Sequence, residues 1–147
     1  RSRVGNVSRS AGHVMGGSIA FTIHGKPFAK QRPRHGKFTT YTPKETVSFE
    51  AHVGNVARPL FSEPLTGPVR VTIWATFKPA VSWSKKKAAA HLGQYHTQKP
   101  DLDNIEKAIL DGLNRIAFAD DSQVADVQKR KVWGPDAKTV VTVEVLT

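Results

Sequence analysis

Val69, Val71, Ile73, Ala75 and Phe77 take every second position of the run 68–78, with Arg70, Thr72, Trp74 and Thr76 between them. A strand patterned this way buries one face and leaves the other accessible. A second segment repeats at a different period. Leu102, Ile105, Ile109, Leu113 and Ile116 recur three or four residues apart, which predicts an amphipathic helix over 102–116. A one-sided strand and a one-sided helix satisfy each other in layers, so the pattern calls for an α+β domain with helices packed on a sheet.

The other elements are read the same way. SIAFTIHG (18–25) alternates Ile19, Phe21 and Ile23 and predicts a strand. In TPKET, Thr42 is the expected N-cap of a helix, with Pro43 at N1 and Glu45 at N3, running to about Ala57. A short helix is expected within 82–93, starting near Ser82 or Ser84 and stopping at Gly93. Two further strands are expected at 122–133 and 139–146. The order β, α, β, α, α, β, β implies one α+β domain with a mixed sheet over 18–147. Residues 1–17, rich in Gly, Ser and Arg, read as a flexible basic arm or a leader.

With 147 residues the chain is long enough for one real core. No apolar run is long enough to span a bilayer, so no membrane partner is expected. Cysteine is absent, which excludes disulfides and thiolate metal sites and is compatible with a cytoplasmic setting.

Charge narrows the function. Lys and Arg number 22 against 12 Asp and Glu, a net charge of +10. Such a surface attracts polyanions, and nucleic acid is the expected partner class. Yet seven of the twelve acids, Asp101, Asp103, Glu106, Asp111, Asp120, Asp121 and Asp126, fall within 101–126, against Lys107 and Arg115 alone. Like charges gathered this closely repel unless a cation joins them.

Asp101 and Asp103 stand at the start of the 102–116 helix, where carboxylates suit the macrodipole and commonly act as caps. Several carboxylates together are also what Mg²⁺ requires. A metal site needs Asp121 to reach back to Asp101 and Asp103 along a helix of roughly 22 Å. Lys107 lies four residues after Asp103 on the same helix face, either as a surface ion pair or as a cation for a phosphate. Asp111 continues that face and is expected to pair with Lys107 or Arg115.

The segment KPFAKQRPRHGK (26–37) has five basic residues and no acid, and its prolines favour an extended path. Lys30, Arg32 and Arg34 are the expected DNA contacts. Lys85–Lys87 and Lys129–Lys131 are weaker candidates. Strand alternation puts Lys129 and Lys131 on one face and Arg130 on the other. The six histidines show no ligand spacing and read as surface or loop residues. Trp74, Trp83 and Trp133 read as core or interface residues rather than base-stacking platforms.

PDLDNIEKAILDGLN, followed by FADDSQV, resembles the RusA family of Holliday junction resolvases. The matching positions are Asp101, Asp103, Asn104, Lys107 with Ala108, Asp111 to Leu113, and Asp120 to Val124. KQRPR and YTP (Lys30 to Arg34, Tyr41 to Pro43) give a second, weaker match in the family order. The resemblance implies a Mg²⁺-dependent endonuclease, with Mn²⁺ as a substitute, acting as a homodimer on DNA four-way junctions. It implies metal binding by Asp101, Asp103 and Asp121, the last with Asp120 beside it as the alternative, and an essential role for Lys107. The competing readings are a non-catalytic nucleic-acid-binding protein and a nuclease of the same chemistry acting on other branched DNA.

Overall fold

The computed structural model describes residues 12–15, 17–32, 34–36, 40–41 and 43–146. In chain order the elements are β1 (Gly12–Met15), β2 (Ser18–His24), β3 (Arg34–His35), β4 (Thr40–Tyr41), α1 (Lys44–Ala57), β5 (Val69–Phe77), α2 (Lys85–His91), α3 (Leu102–Leu113), β6 (Val124–Trp133) and β7 (Lys138–Val145). Five strands form one sheet in the order β1-β2-β7-β5-β6, and β3 pairs with β4 in a separate two-stranded ribbon. Only the β5–β6 pair is parallel, so the sheet is mixed. The α+β expectation is met.

The alternation in β5 becomes its two faces. Val69, Val71, Ile73, Ala75 and Phe77 are buried, while the residues between them are half-buried. Phe21, Val141 and Val143 extend the apolar face across β2 and β7. Ile105, Ile109 and Leu113 of α3 and Val53 of α1 close the same core. Where the helices cross, a Cβ on Gly112 would lie 2.7 Å from Val53 Cβ, so this close approach requires glycine. The opposite sheet face is polar: Arg70 donates to Asp126 at 2.7 Å and to Glu144 at 3.0 Å, and Arg130 lies over the Trp74 ring.

A parallel pair needs a long crossover. Here it spans 78–123 and includes α2 and α3. It returns the chain so that the N-terminus of α3 meets the C-terminal half of β6: Lys131 Nζ donates to the carbonyl of Pro100 at 2.7 Å.

Several boundaries differ from the sequence expectations. Gly12–Met15, placed in a flexible arm, forms a strand antiparallel to β2; residues 1–11 lie outside the described residues. Pro43 occupies the N-cap position of α1 instead of N1, so Glu45 falls one place earlier than N3; Thr42 lies outside the described residues. α3 ends at Leu113 rather than Ile116, because Asn114 leaves the helix at ψ 130° and Arg115 follows in the left-handed region at φ 71°. Ile116 still packs against the core, from the turn. The expected strand start at 122 is a short 3-10 turn over Asp121–Gln123. α2 starts where expected, with Ser84 Oγ accepting from the Lys87 amide.

Candidate active site

The first turn of α3 carries two exposed carboxylates, Asp101 and Asp103. Asp101 is its N-cap residue, and its carbonyl accepts from the Asn104 and Ile105 amides, both at 3.2 Å. Its side chain makes no capping bond and is exposed. The common structural reason for an aspartate here is therefore missing. Asp103 follows with a side chain 91% exposed.

Lys129 approaches this turn from β6. Its Nζ lies 2.7 Å from Asp103 Oδ1 and 2.5 Å from Glu106 Oε1. The hydrogen bond from Lys129, reinforced by its charge, holds the Asp103 carboxyl below the usual carboxylate range. Burial pulls the Lys129 ammonium down, but hydrogen bonds to Asp103 and Glu106 outweigh it and the net shift is upward. Lys131, on the same face of β6, donates to the Gln98 and Pro100 carbonyls. Burial leaves its ammonium below the ordinary lysine value. The alternation of Lys129, Arg130 and Lys131 is as the sequence implied. The role of Glu106 was missed, although it stands three residues after Asp103 on the same helix.

The basic segment reaches the same place. The Lys30 amide donates to the Asn104 carbonyl at 2.8 Å, so residues 26–32 run beside the start of α3. Lys30 itself, expected to meet DNA, turns inward. Its Nζ pairs with Glu50 of α1 at 3.1 Å and with Asp111 of α3. Two carboxylates on adjacent helices draw the ammonium in, and Asp111 is thereby taken from Lys107 and Arg115, its expected partners. Arg32 is exposed. The side chain of Arg34 lies outside what is described. Lys107 is exposed, one helical turn beyond Asp103.

The Asp120–Asp121 pair divides its labour. Asp120 caps the 3-10 turn by accepting from the Ser122 amide at 3.0 Å; hydrogen bonding by the Ser122 side chain, and then by that amide, depresses its pKa. Gln123 completes the capping box by accepting from the Ala119 and Asp120 amides, and it donates to the Leu65 and Gly67 carbonyls. Asp121 is exposed. Of the two, Asp121 is the one whose carboxylate has no partner among the described residues.

Asp121 does not join Asp101 and Asp103 within this chain. Lys129 marks the acidic turn, and it lies five residues into β6, whereas Asp121 precedes the strand. At ~3.3 Å per residue the separation is roughly 20 Å. Asp121 lies past the C-terminal end of α3, while Asp101 is at its start. Among the described residues no three His, Cys, Asp or Glu side chains are grouped to hold a metal ion. Asp101 and Asp103 fit Mg²⁺ as hard oxygen donors; the expected third donor does not reach them in one protomer.

Residues 24–144 match the family described as Endodeoxyribonuclease RusA. The chain belongs to the RusA family. A relative, "Uncharacterized protein YqaN" of Bacillus subtilis (strain 168), is 36% identical over 134 residues, covering 85% of this chain and 94% of the relative. The RusA match takes in both the basic segment and the acidic turn, the two features that the fold brings together. Membership places the protein among nucleases that hydrolyse DNA. Among the described residues no helix is long and apolar enough to cross a membrane.

Proposed function

We propose that this RusA-family protein is a Mg²⁺-dependent, structure-selective endonuclease that resolves Holliday junctions by paired phosphodiester hydrolysis, in DNA recombination and repair within the cytoplasm of a bacterial or phage-infected cell. The observation that carries the reading is the uncapped Asp101 carboxylate beside Asp103, at a helix start flanked by the basic segment. A merely structural aspartate at that position caps the helix. The geometry thus favours chemistry over the non-catalytic reading.

Asp101 and Asp103 are the residues to hold the metal in one protomer, and we assign the third place to Asp121 of the partner subunit in a homodimer. Held by these carboxylates, Mg²⁺, or Mn²⁺ in its stead, would offset their charge against DNA and would supply Lewis-acid activation of water. Lys107, exposed on the adjacent turn, is placed to contact a phosphate oxygen and stabilise its developing charge. Arg32, and Arg34 in the same basic segment, contact the backbone and position the strand without reading sequence. A twofold dimer matches the roughly twofold symmetry of a four-way junction.

The test is cleavage of a synthetic four-way junction, a fork and a linear duplex, with and without Mg²⁺. The junction is expected to be cut, in a metal-dependent way, in preference to the other two. Asp103→Asn is expected to lower cutting by at least about 100-fold while junction binding persists. Undiminished cutting by Asp103→Asn overturns the site assignment.

A further inference from the structure

A cavity of about 410 Å³ opens beside the acidic turn, at the C-terminal ends of β5 and β6. Its volume is that of a small-ligand pocket. Phe77, His96, Trp83 and Trp133 form the aromatic part of its wall. These rings pack in series: Phe77 on His96 at 4.0 Å, His96 on Trp133 at 4.4 Å, and Trp133 against Trp83 at 5.0 Å between centroids. Lys26, Lys78, Lys87 and Lys99 line the same cavity, and none of the described residues that line it is acidic. Lys87 Nζ stands 4.2 Å from the centroid of the Trp83 ring.

His96 supplies a second, independent observation, an unpartnered polar atom in the pocket wall. The residue is only 6% exposed, and its Nδ1 is buried without a hydrogen-bond partner among the described residues. Burial, and then the charge of Lys131, lower its pKa, so the ring is neutral near pH 7. A neutral imidazole in an aromatic wall suits a flat, polar-edged ligand. Four ammonium groups around it suit a ligand that is also anionic.

The position of the cavity selects among such ligands. Lys99 is two residues before Asp101, at most about 7.6 Å along the chain. That is the scale of one or two nucleotide steps of a strand. We propose that this pocket receives a single unstacked nucleobase of the DNA strand held at Asp101 and Asp103. In this assignment Trp83 and its aromatic neighbours contact the base, and Lys26, Lys78, Lys87 and Lys99 contact the phosphodiesters on either side. The proposal deepens the nuclease reading and rests on it. It gives junction selectivity a physical source, since a fully paired duplex offers no free base without the cost of unstacking one.

The test is metal-free binding of the full chain to three duplexes: one with a single bulged thymine, the same one with an abasic residue at the bulge, and one fully paired. The bulged duplex is expected to bind about tenfold more tightly than its abasic counterpart, the usual scale for base stacking on an aromatic side chain. Trp83→Leu is expected to erase that difference, and Trp83→Phe to keep most of it. Trp83 is only half-buried, and a thermal melt of each variant verifies folding. Equal binding of bulged and abasic duplexes by the wild type overturns the proposal, as does a difference that survives in folded Trp83→Leu. Displacement of the bulged and abasic duplexes to the same extent by inorganic pyrophosphate identifies an anion site with no base and also overturns it. Mg²⁺-dependent junction cleavage by the same wild-type preparation separates the two readings. Cleavage without base preference sinks only the pocket, whereas absence of any DNA binding sinks both.

Discussion

Lys129 Nζ stands 2.7 Å from Asp103 Oδ1, joining the C-terminal half of β6 to the first turn of α3. The same ammonium reaches Glu106 at 2.5 Å. It occupies the electrostatic role that a cation takes among carboxylates. Asp103 has its pKa depressed, so this contribution is complete above 3.8 and disappears as the pH falls through the lower folded-state value. Lys129 has its pKa raised, so its contribution is complete below 10.5 and disappears as the pH rises through the higher folded-state value. Across neutral pH the pair is intact, so Mg²⁺ held at the proposed site would compete with it for Asp103. Lys129→Met is therefore expected to lower the Mg²⁺ concentration for half-maximal binding by about three- to fivefold, on the scale of a solvent-screened pair. Calorimetric titration with Mg²⁺ measures this directly; an unchanged or weaker affinity contradicts it.

Lys30 is expected to serve as a structural cation between two helices rather than as a DNA contact. Its ammonium joins Glu50 on α1 to Asp111 on α3, and its side chain is 22% exposed. Burial lowers its pKa, but the two carboxylate partners outweigh that and leave the net shift upward. Lys30→Met leaves two half-buried carboxylates facing each other without a cation. The expected loss is about 1–2 kcal/mol, between an exposed pair and a fully buried one. Urea unfolding reports it. DNA affinity is expected to change by less than about twofold, whereas Arg32→Gln weakens binding and flattens its salt dependence.

His96 makes the fold less stable in acid. Its folded-state pKa lies below 6.5, first because burial disfavours the charged ring and then because Lys131 repels it. The unfolded chain thus binds the proton more tightly. Stability is complete above 6.5 and declines as the pH falls through the folded-state value, by at most about 1.4 kcal/mol per pH unit for one proton. His96→Phe keeps an aromatic ring between Phe77 and Trp133 and removes the proton. Its melting temperature is expected to vary less between pH 7 and 5 than that of the wild type; parallel curves contradict the assignment.

What could be read from the chain follows from the range of each interaction. Period-two and period-3.6 patterns are local, and β5 and α3 emerged from them where expected. The end of α3 did not, because Ile116 keeps the apolar spacing while Arg115 has already left the helix at φ 71°. Asp101 and Asp103 were legible because their helix start is encoded next to them. Lys129 was legible only as a face of a strand: its contacts with Asp103 and Glu106 span 26 and 23 residues. The ion pair of Lys30 was hidden for the same reason, since Asp111 is 81 residues away. The burial of His96 depends on Phe77 and Trp133, which no local pattern links to it.

The separation of Asp121 from Asp103 makes the partner subunit testable. If Asp101 and Asp103 of one protomer work with Asp121 of the other, neither Asp103→Asn nor Asp121→Asn has an intact site as a homodimer. A mixed dimer of the two variants differs. One of its sites carries both substitutions, and the other joins an unaltered Asp101–Asp103 pair to an unaltered Asp121. Such a dimer is expected to nick one strand of a four-way junction, while paired incision stays lost. If all three aspartates act within one protomer, every site in the mixture has one substitution and nothing is cut. The two variants are to be unfolded and refolded together so that subunits exchange, and their products compared on a denaturing gel with those of each variant refolded alone. Restored nicking supports a site shared between subunits, and none at all refutes it.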